Sequence, residues 1–105
     1  MLLSLMCLLL ISDESRLDIL DAFSWYESRR SGLDKDFELC LEAGFNNIKR
    51  DPLLFQKRYK NLRIHFIDRF LYGIHYLIEE NTIKVFGIFH TSRNPGRWNI
   101  RLKST

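Results

Sequence analysis

The chain has 105 residues, a mass of 12.6 kDa and a net charge of +3, with 46% hydrophobic and 28% charged residues. That composition excludes a disordered tail or a fibrous repeat. The length allows one domain over 1–105, too small to join a cofactor-binding domain to a substrate domain. A chain of this size buries about two-thirds of its unfolded surface, enough for one core without staples.

The first eleven residues, Met1 to Ile11, form an apolar run. They lack a basic flank and a small-residue cleavage site, and fall short of the ~20 residues that span a bilayer. The run reads as a buried strand. Ser12 and Asp13 are N-cap residues, and Asp13 and Glu14 suit the positive end of a helix dipole. A helix is expected over about 14–30, with Ile19, Ala22, Phe23 and Tyr26 on one stripe that Leu17 and Leu20 widen. Ser31-Gly32 ends it, and a second helix starts near Asp34. Leu33, Phe37, Cys40, Leu41, Gly44 and Ile48 share one face of that helix. Asp51-Pro52 stops it, because a residue before proline avoids the helical region. So short a linker implies an antiparallel helical hairpin.

From Asn61 the apolar period changes to 2. Leu62, Ile64 and Phe66 alternate with Arg63 and His65, then Asp68-Arg69 turns the chain. Tyr72, Ile74, Tyr76 and Ile78 alternate with Gly73, His75 and Leu77. Glu80-Asn81 is a tight turn. Ile83, Val85, Gly87 and Phe89 alternate with Lys84, Phe86, Ile88 and His90. The expected fold class is α+β in the order β-α-α-β-β-β, a helical hairpin packed on an antiparallel sheet. Ile19, Phe23, Phe37, Leu41, Ile48, Ile74, Tyr76, Val85 and Ile88 are its expected core.

Charge is divided along the chain. Residues 1–53 carry net −4 and residues 54–105 net +7. A basic half suits a polyanionic partner, whether nucleic acid or an acidic protein segment. Two cysteines, Cys7 and Cys40, make no disulfide framework and fit a reducing cytoplasm. No CxxC or HExxH spacing points to a metal, and no glycine-rich loop points to a nucleotide cofactor. His75, between Ile74 and Tyr76, reads as structural. Candidate chemistry falls on Arg63, His65, His90, Arg93, Arg97, Trp98 and Arg101. In a meander these strand ends converge. Arginines grip phosphate, tryptophan stacks a base and histidine titrates near neutrality. Such a set can hold RNA and help cleave it, or hold a protein.

The element order, the stretch Asp18-Ile-Leu-Asp-Ala-Phe-Ser-Trp-Tyr-Glu27, the Asp51-Pro52 break, Leu71-Tyr-Gly-Ile-His-Tyr76 and the ending His90-Thr-Ser-Arg-Asn-Pro-Gly-Arg-Trp98 together resemble the RelE/ParE toxin family of type II toxin–antitoxin (plasmid stabilisation) systems. The resemblance spans about residues 12–98. It implies a cytoplasmic toxin without cofactor, metal or membrane, held by a cognate antitoxin in a hetero-oligomer. Phe23, Tyr26, Phe37 and Leu41 are the expected antitoxin-binding residues. RelE-like members cut mRNA on the ribosome with basic residues on the second strand, an Arg on the third, an Arg after the fourth and often a late Tyr. By position, Arg63, His65 and Arg93 match. The third-strand Arg falls on Gly73, and the late Tyr falls near Asn99. ParE-like members inhibit DNA gyrase and are not enzymes, and the Tyr-Gly-Ile stretch and the Arg-Asn-Pro-Gly-Arg-Trp ending look more like them. The expected function is therefore a ParE-like gyrase inhibitor. Its target surface would be Arg63, His65, His90, Arg93, Arg97 and Trp98. The alternatives are a RelE-like endoribonuclease or a degenerate member that only binds antitoxin.

Overall fold

The computed structural model describes residues 8–92. Seven elements follow in chain order: β1 (Leu8–Ile11), α1 (Asp13–Arg29), α2 (Leu33–Arg50), β2 (Lys57–Tyr59), β3 (Leu62–Phe66), β4 (Tyr72–Glu79) and β5 (Thr82–His90). The five strands form one sheet in the order β1-β5-β4-β3-β2. β2 to β5 run antiparallel as a meander. β1 is the exception: it pairs parallel with β5, Leu8 opposite Thr82 and Ile11 opposite Val85. The sheet is therefore mixed rather than wholly antiparallel. The meander is written in local turns, but β1 returns through both helices, and no local pattern specifies which strand it joins. β2 was not expected. Its three residues are all exposed and carry no apolar alternation, so only pairing with β3 makes them a strand.

Both helices lie on one sheet face. The core joins Ala22 and Tyr26 of α1 and Phe37, Leu41 and Ile48 of α2 to Ile74 and Tyr76 of β4 and Ile83, Val85 and Ile88 of β5. Of the expected core, Ile19 and Phe23 are only partly buried against it. Leu17 and Leu20, expected to widen the α1 stripe, are 61% and 58% exposed. The buried face of α1 is instead Ser15, Asp18, Ala22 and Tyr26. Two polar residues have taken the place of two leucines.

The reason lies in β5. β1 pairs only as far as Val85, so beyond that point β5 has no strand neighbour on this side. The first turns of α1 supply the missing partners. Ser12 N–H donates to the Val85 carbonyl at 3.3 Å, and Ser15 Oγ–H donates to the same oxygen at 3.2 Å. The Ile88 N–H donates to an Asp18 carboxyl oxygen at 3.0 Å. Ser12 also caps the helix by accepting the Ser15 N–H at 3.1 Å. A bulge falls between these contacts: Tyr76 pairs with Val85 and His75 with Gly87, which leaves Phe86 as the extra residue. The bulge shifts the alternation, so that Val85 and Ile88 share the core face.

Leucine at position 18 would bury the Ile88 N–H without a partner. Asp18→Leu should destabilise by about 1–3 kcal/mol. Asp18→Asn keeps an oxygen for that bond and should cost less. Phe37, fully buried, is ringed by Phe23, Tyr26, Phe70 and Tyr72 at 5.2–5.8 Å between centroids. Phe37→Ala should cost about 3–5 kcal/mol. Urea unfolding midpoints of the three variants check this order.

Candidate functional site

The segment 51–56 connects α2 to β2 and lies over the far end of the meander. Three side chains hold it. Tyr76, fully buried on the central strand β4, donates its hydroxyl to the Pro52 carbonyl at 2.7 Å. Burial pushes the Tyr76 phenol up to about 12; Arg63 opposes that shift and Asp51 adds to it. Arg63, opposite Tyr76 on β3, donates to the Phe55 carbonyl at 2.6 Å and to the Leu53 carbonyl at 3.3 Å. Phe55 closes the segment by stacking on the His65 ring, with centroids 4.0 Å apart and planes at 29°.

Arg63 and His65 thus share the helix-side face of β3, as the alternation predicts. Arg63 is committed to two backbone carbonyls. His65 is half-buried between Phe55 and α2. Its Nε2 lies 3.4 Å from Asn47 Nδ2, whose oxygen in turn accepts from Arg50. An amide N–H aimed at Nε2 favours the neutral imidazole. Burial also holds the His65 pKa below its ordinary 6.5, opposed by the Asp68 carboxylate. Beside the ring opens a cleft of about 140 Å³ between α2 and β3, lined by Leu39, Cys40, Ala43, Gly44, Asn47 and Ile67. Gly44 brings α2 close to the sheet there, since a Cβ on it would meet Ile74 Cδ1 at 2.9 Å and Ile67 Cγ2 at 3.0 Å.

The other expected groups are placed elsewhere. His90, at the end of β5, meets the Tyr72 ring edge-on at 5.2 Å and accepts the Ser92 N–H at Nδ1. β4 stands between His90 and His65, so they are two strands, or roughly 10 Å, apart. The expected convergence is therefore not made by these two. Gly73 stands where RelE-like chemistry places an arginine, and a Cβ there would lie 2.9 Å from Ile64 Cγ2 and 3.3 Å from the Phe66 ring, so a side chain would require Ile64 to shift. The apolar stripe Phe23, Tyr26, Phe37 and Leu41 is core rather than groove. Tyr26, Phe37 and Leu41 are buried and Phe23 partly so, because the hairpin turns this stripe onto the sheet. The cleft beside His65 has Leu39 at its rim, 67% exposed. Arg93, Arg97, Trp98, Asn99, Arg101 and Cys7 lie outside the described residues.

His75 is buried with its ring edge-on to Phe89 at 4.9 Å, in keeping with a structural role. Among the described residues no three His, Cys, Asp or Glu side chains come together as a metal site. No described helix is long and apolar enough to cross a membrane.

No family model matches this sequence, and no curated protein matches it. Among solved structures the chain is similar to a chain of the chromosomal ParDE TA system from P. aeruginosa. The TM-score is 0.69 at 11% identity, covering 81% of this chain and 96% of that one. The fold is therefore shared with that ParDE chain: α+β, with two helices on one face of a five-stranded mixed sheet.

His65 also links the site to pH. Its folded pKa is lowered, so the unfolded chain binds the proton more tightly. Stability is then full above pH 6.5 and falls as pH drops through 6.5 toward the folded midpoint. The His65 imidazole proton resonance should titrate below 6.5. The slope of unfolding free energy between pH 7 and 5 should become shallower in His65→Gln.

Proposed function

We propose that this chain is the toxin of a toxin–antitoxin pair and acts as a ParE-like inhibitor of DNA gyrase in the cytoplasm. The observation that carries the reading is the fold, which covers nearly the whole of a ParDE chain. The sequence stretches that resemble the family support it independently. A cognate antitoxin follows as partner. Its apolar anchors would sit in the open cleft at Leu39 and His65, and its charges would meet the basic half of the chain.

Three features favour inhibition by binding over RNA cleavage. Gly73 supplies no third-strand guanidinium, and a Cβ there would have to displace Ile64. The Arg63 guanidinium is tethered through Nη1 to the Leu53 and Phe55 carbonyls. His65 is stacked on Phe55 and half-buried against α2, which limits its access to a substrate proton. A surface that binds a protein target needs none of these groups free.

Growth arrest on expression should come with relaxed plasmids and intact transcripts, and should persist in His65→Gln. Arg93→Glu with Arg97→Glu should abolish it, because a cationic surface would become anionic. Plasmid topology and transcript integrity measured in the same cultures test this. Transcript cuts that weaken about 10²-fold or more in His65→Gln would replace the gyrase reading with the ribonuclease one.

A further inference from the structure

Among the described residues the sheet ends on β2 at one side and on β1 at the other. An outer strand presents unpaired N–H and C=O groups, a ready template for another chain unless something blunts it. β2 is blunted. It is three residues long, its register against β3 is irregular, and Lys57, Arg58 and the adjoining Lys60 are exposed. β1 has no such guard. Leu8, Leu9, Leu10 and Ile11 pair with β5 in an unbroken register, and no charged residue precedes Asp13 in the sequence. The charge opposite Leu10 on β5, that of Lys84, is already paired with Glu79.

The backbone of β1 faces two ways. The Leu8 and Ser12 N–H groups donate to the Asn81 and Val85 carbonyls. Alternation along a parallel-paired strand then aims the N–H and C=O of Leu9 and Ile11 at the open edge. Side chains alternate as well. Leu9 and Ile11 pack against the core, while Leu8 and Leu10, on the face away from the helices, are 58% and 49% exposed. An aliphatic edge with outward-aimed amides suits another aliphatic strand and offers nothing to a segment selected by charge. A second copy supplies a strand of the same length and side-chain class, and antiparallel pairing about a twofold axis lets each copy offer the same patch. α1 is tied to β5 through Ser15 and Asp18, one strand back from the edge.

We propose that β1 is a self-association edge, pairing antiparallel with the same strand of a second copy so that Leu9 meets its own counterpart and Leu8 lies opposite Leu10 of the partner subunit. In that register the two Leu9 residues exchange backbone hydrogen bonds, and the four exposed leucines meet in two pairs on the outer sheet face. The two sheets become one, with both helical hairpins on the same side. So short a seam makes a weak, concentration-dependent dimer. It forms whether or not the chain is a gyrase inhibitor.

Sedimentation velocity of the full chain from about 1 to about 200 μM tests this, a range in which weak interfaces fill. The mass should rise with concentration toward twice the 12.6 kDa of one chain. Leu8→Lys/Leu10→Lys, which sets like charges on the seam, should stay monomeric throughout. Leu17→Lys/Leu20→Lys, which changes the equally exposed leucines of α1, should dimerise as the parent chain does. Circular dichroism checks that each variant is folded. Cross-linking in a Cys7→Ser/Cys40→Ser background reads the register without placing a charge on the strand. The facing Cα atoms of positions 8 and 10 would stand about 4.5 Å apart, within reach of a disulfide. An oxidised mixture of Leu8→Cys and Leu10→Cys chains should give a mixed covalent dimer, and neither variant alone should give one. A chain that stays monomeric at the top of the range overturns the proposal, since another segment of the chain or a different protein would then be the occupant of β1. It is overturned equally by a dimer that survives Leu8→Lys/Leu10→Lys, by one lost in Leu17→Lys/Leu20→Lys, or by either cysteine variant cross-linking alone as well as the mixture does.

Discussion

The fold depends on what happens where β1 stops. β5 is nine residues long and β1 covers only its first half. A central strand with bare backbone at a buried edge would be costly, since each unpaired buried N–H forfeits about 1–3 kcal/mol. The start of α1 resolves this with Ser12, Ser15 and Asp18, which bond to Val85 and Ile88. Those bonds set the rotation of α1 about its axis. They turn Ala22 and Tyr26 inward and leave Leu17 and Leu20 in solvent. Tyr26 then reaches the Phe37, Phe70 and Tyr72 rings that join both helices to the sheet. Helix phase and aromatic core thus follow from these three hydrogen bonds.

A second polar arrangement works at the opposite end. Tyr76 and Arg63 face each other across β3 and β4 and both bond to carbonyls of the segment 51–56. Together they fix a stretch with no regular structure of its own and present Phe55 to His65. Residues that looked in sequence like free cations and proton carriers are here parts of a clasp. The His65 ring is held half-buried between Phe55 and α2.

Charge is arranged by layers. The helices carry most of the carboxylates on their outward faces, and the hairpin at the open sheet edge carries cations without carboxylates. Two of the three described ion pairs join Asp36 to Arg30 and to Arg69, more than half-exposed arginines that contribute little to stability. The charge division therefore says more about partners than about folding. It leaves the outward faces of the helices acidic and the β2–β3 edge cationic.

Periodicity alone determined much of this protein. The helical hairpin, its two stops at Gly32 and Pro52, the three long strands and their turns all follow from local spacing, because each element buries one face and its period records which. The shared face of Arg63 and His65 was legible for the same reason. Tertiary structure decided the rest. The parallel pairing of β1 joins segments more than seventy residues apart, and β2 is a strand only because β3 lies beside it. The inward turn of Ser15 and Asp18 ran against their polarity. Only the unpaired backbone of a distant strand, invisible to any local pattern, made burying a carboxyl group cheaper than burying Leu17 and Leu20.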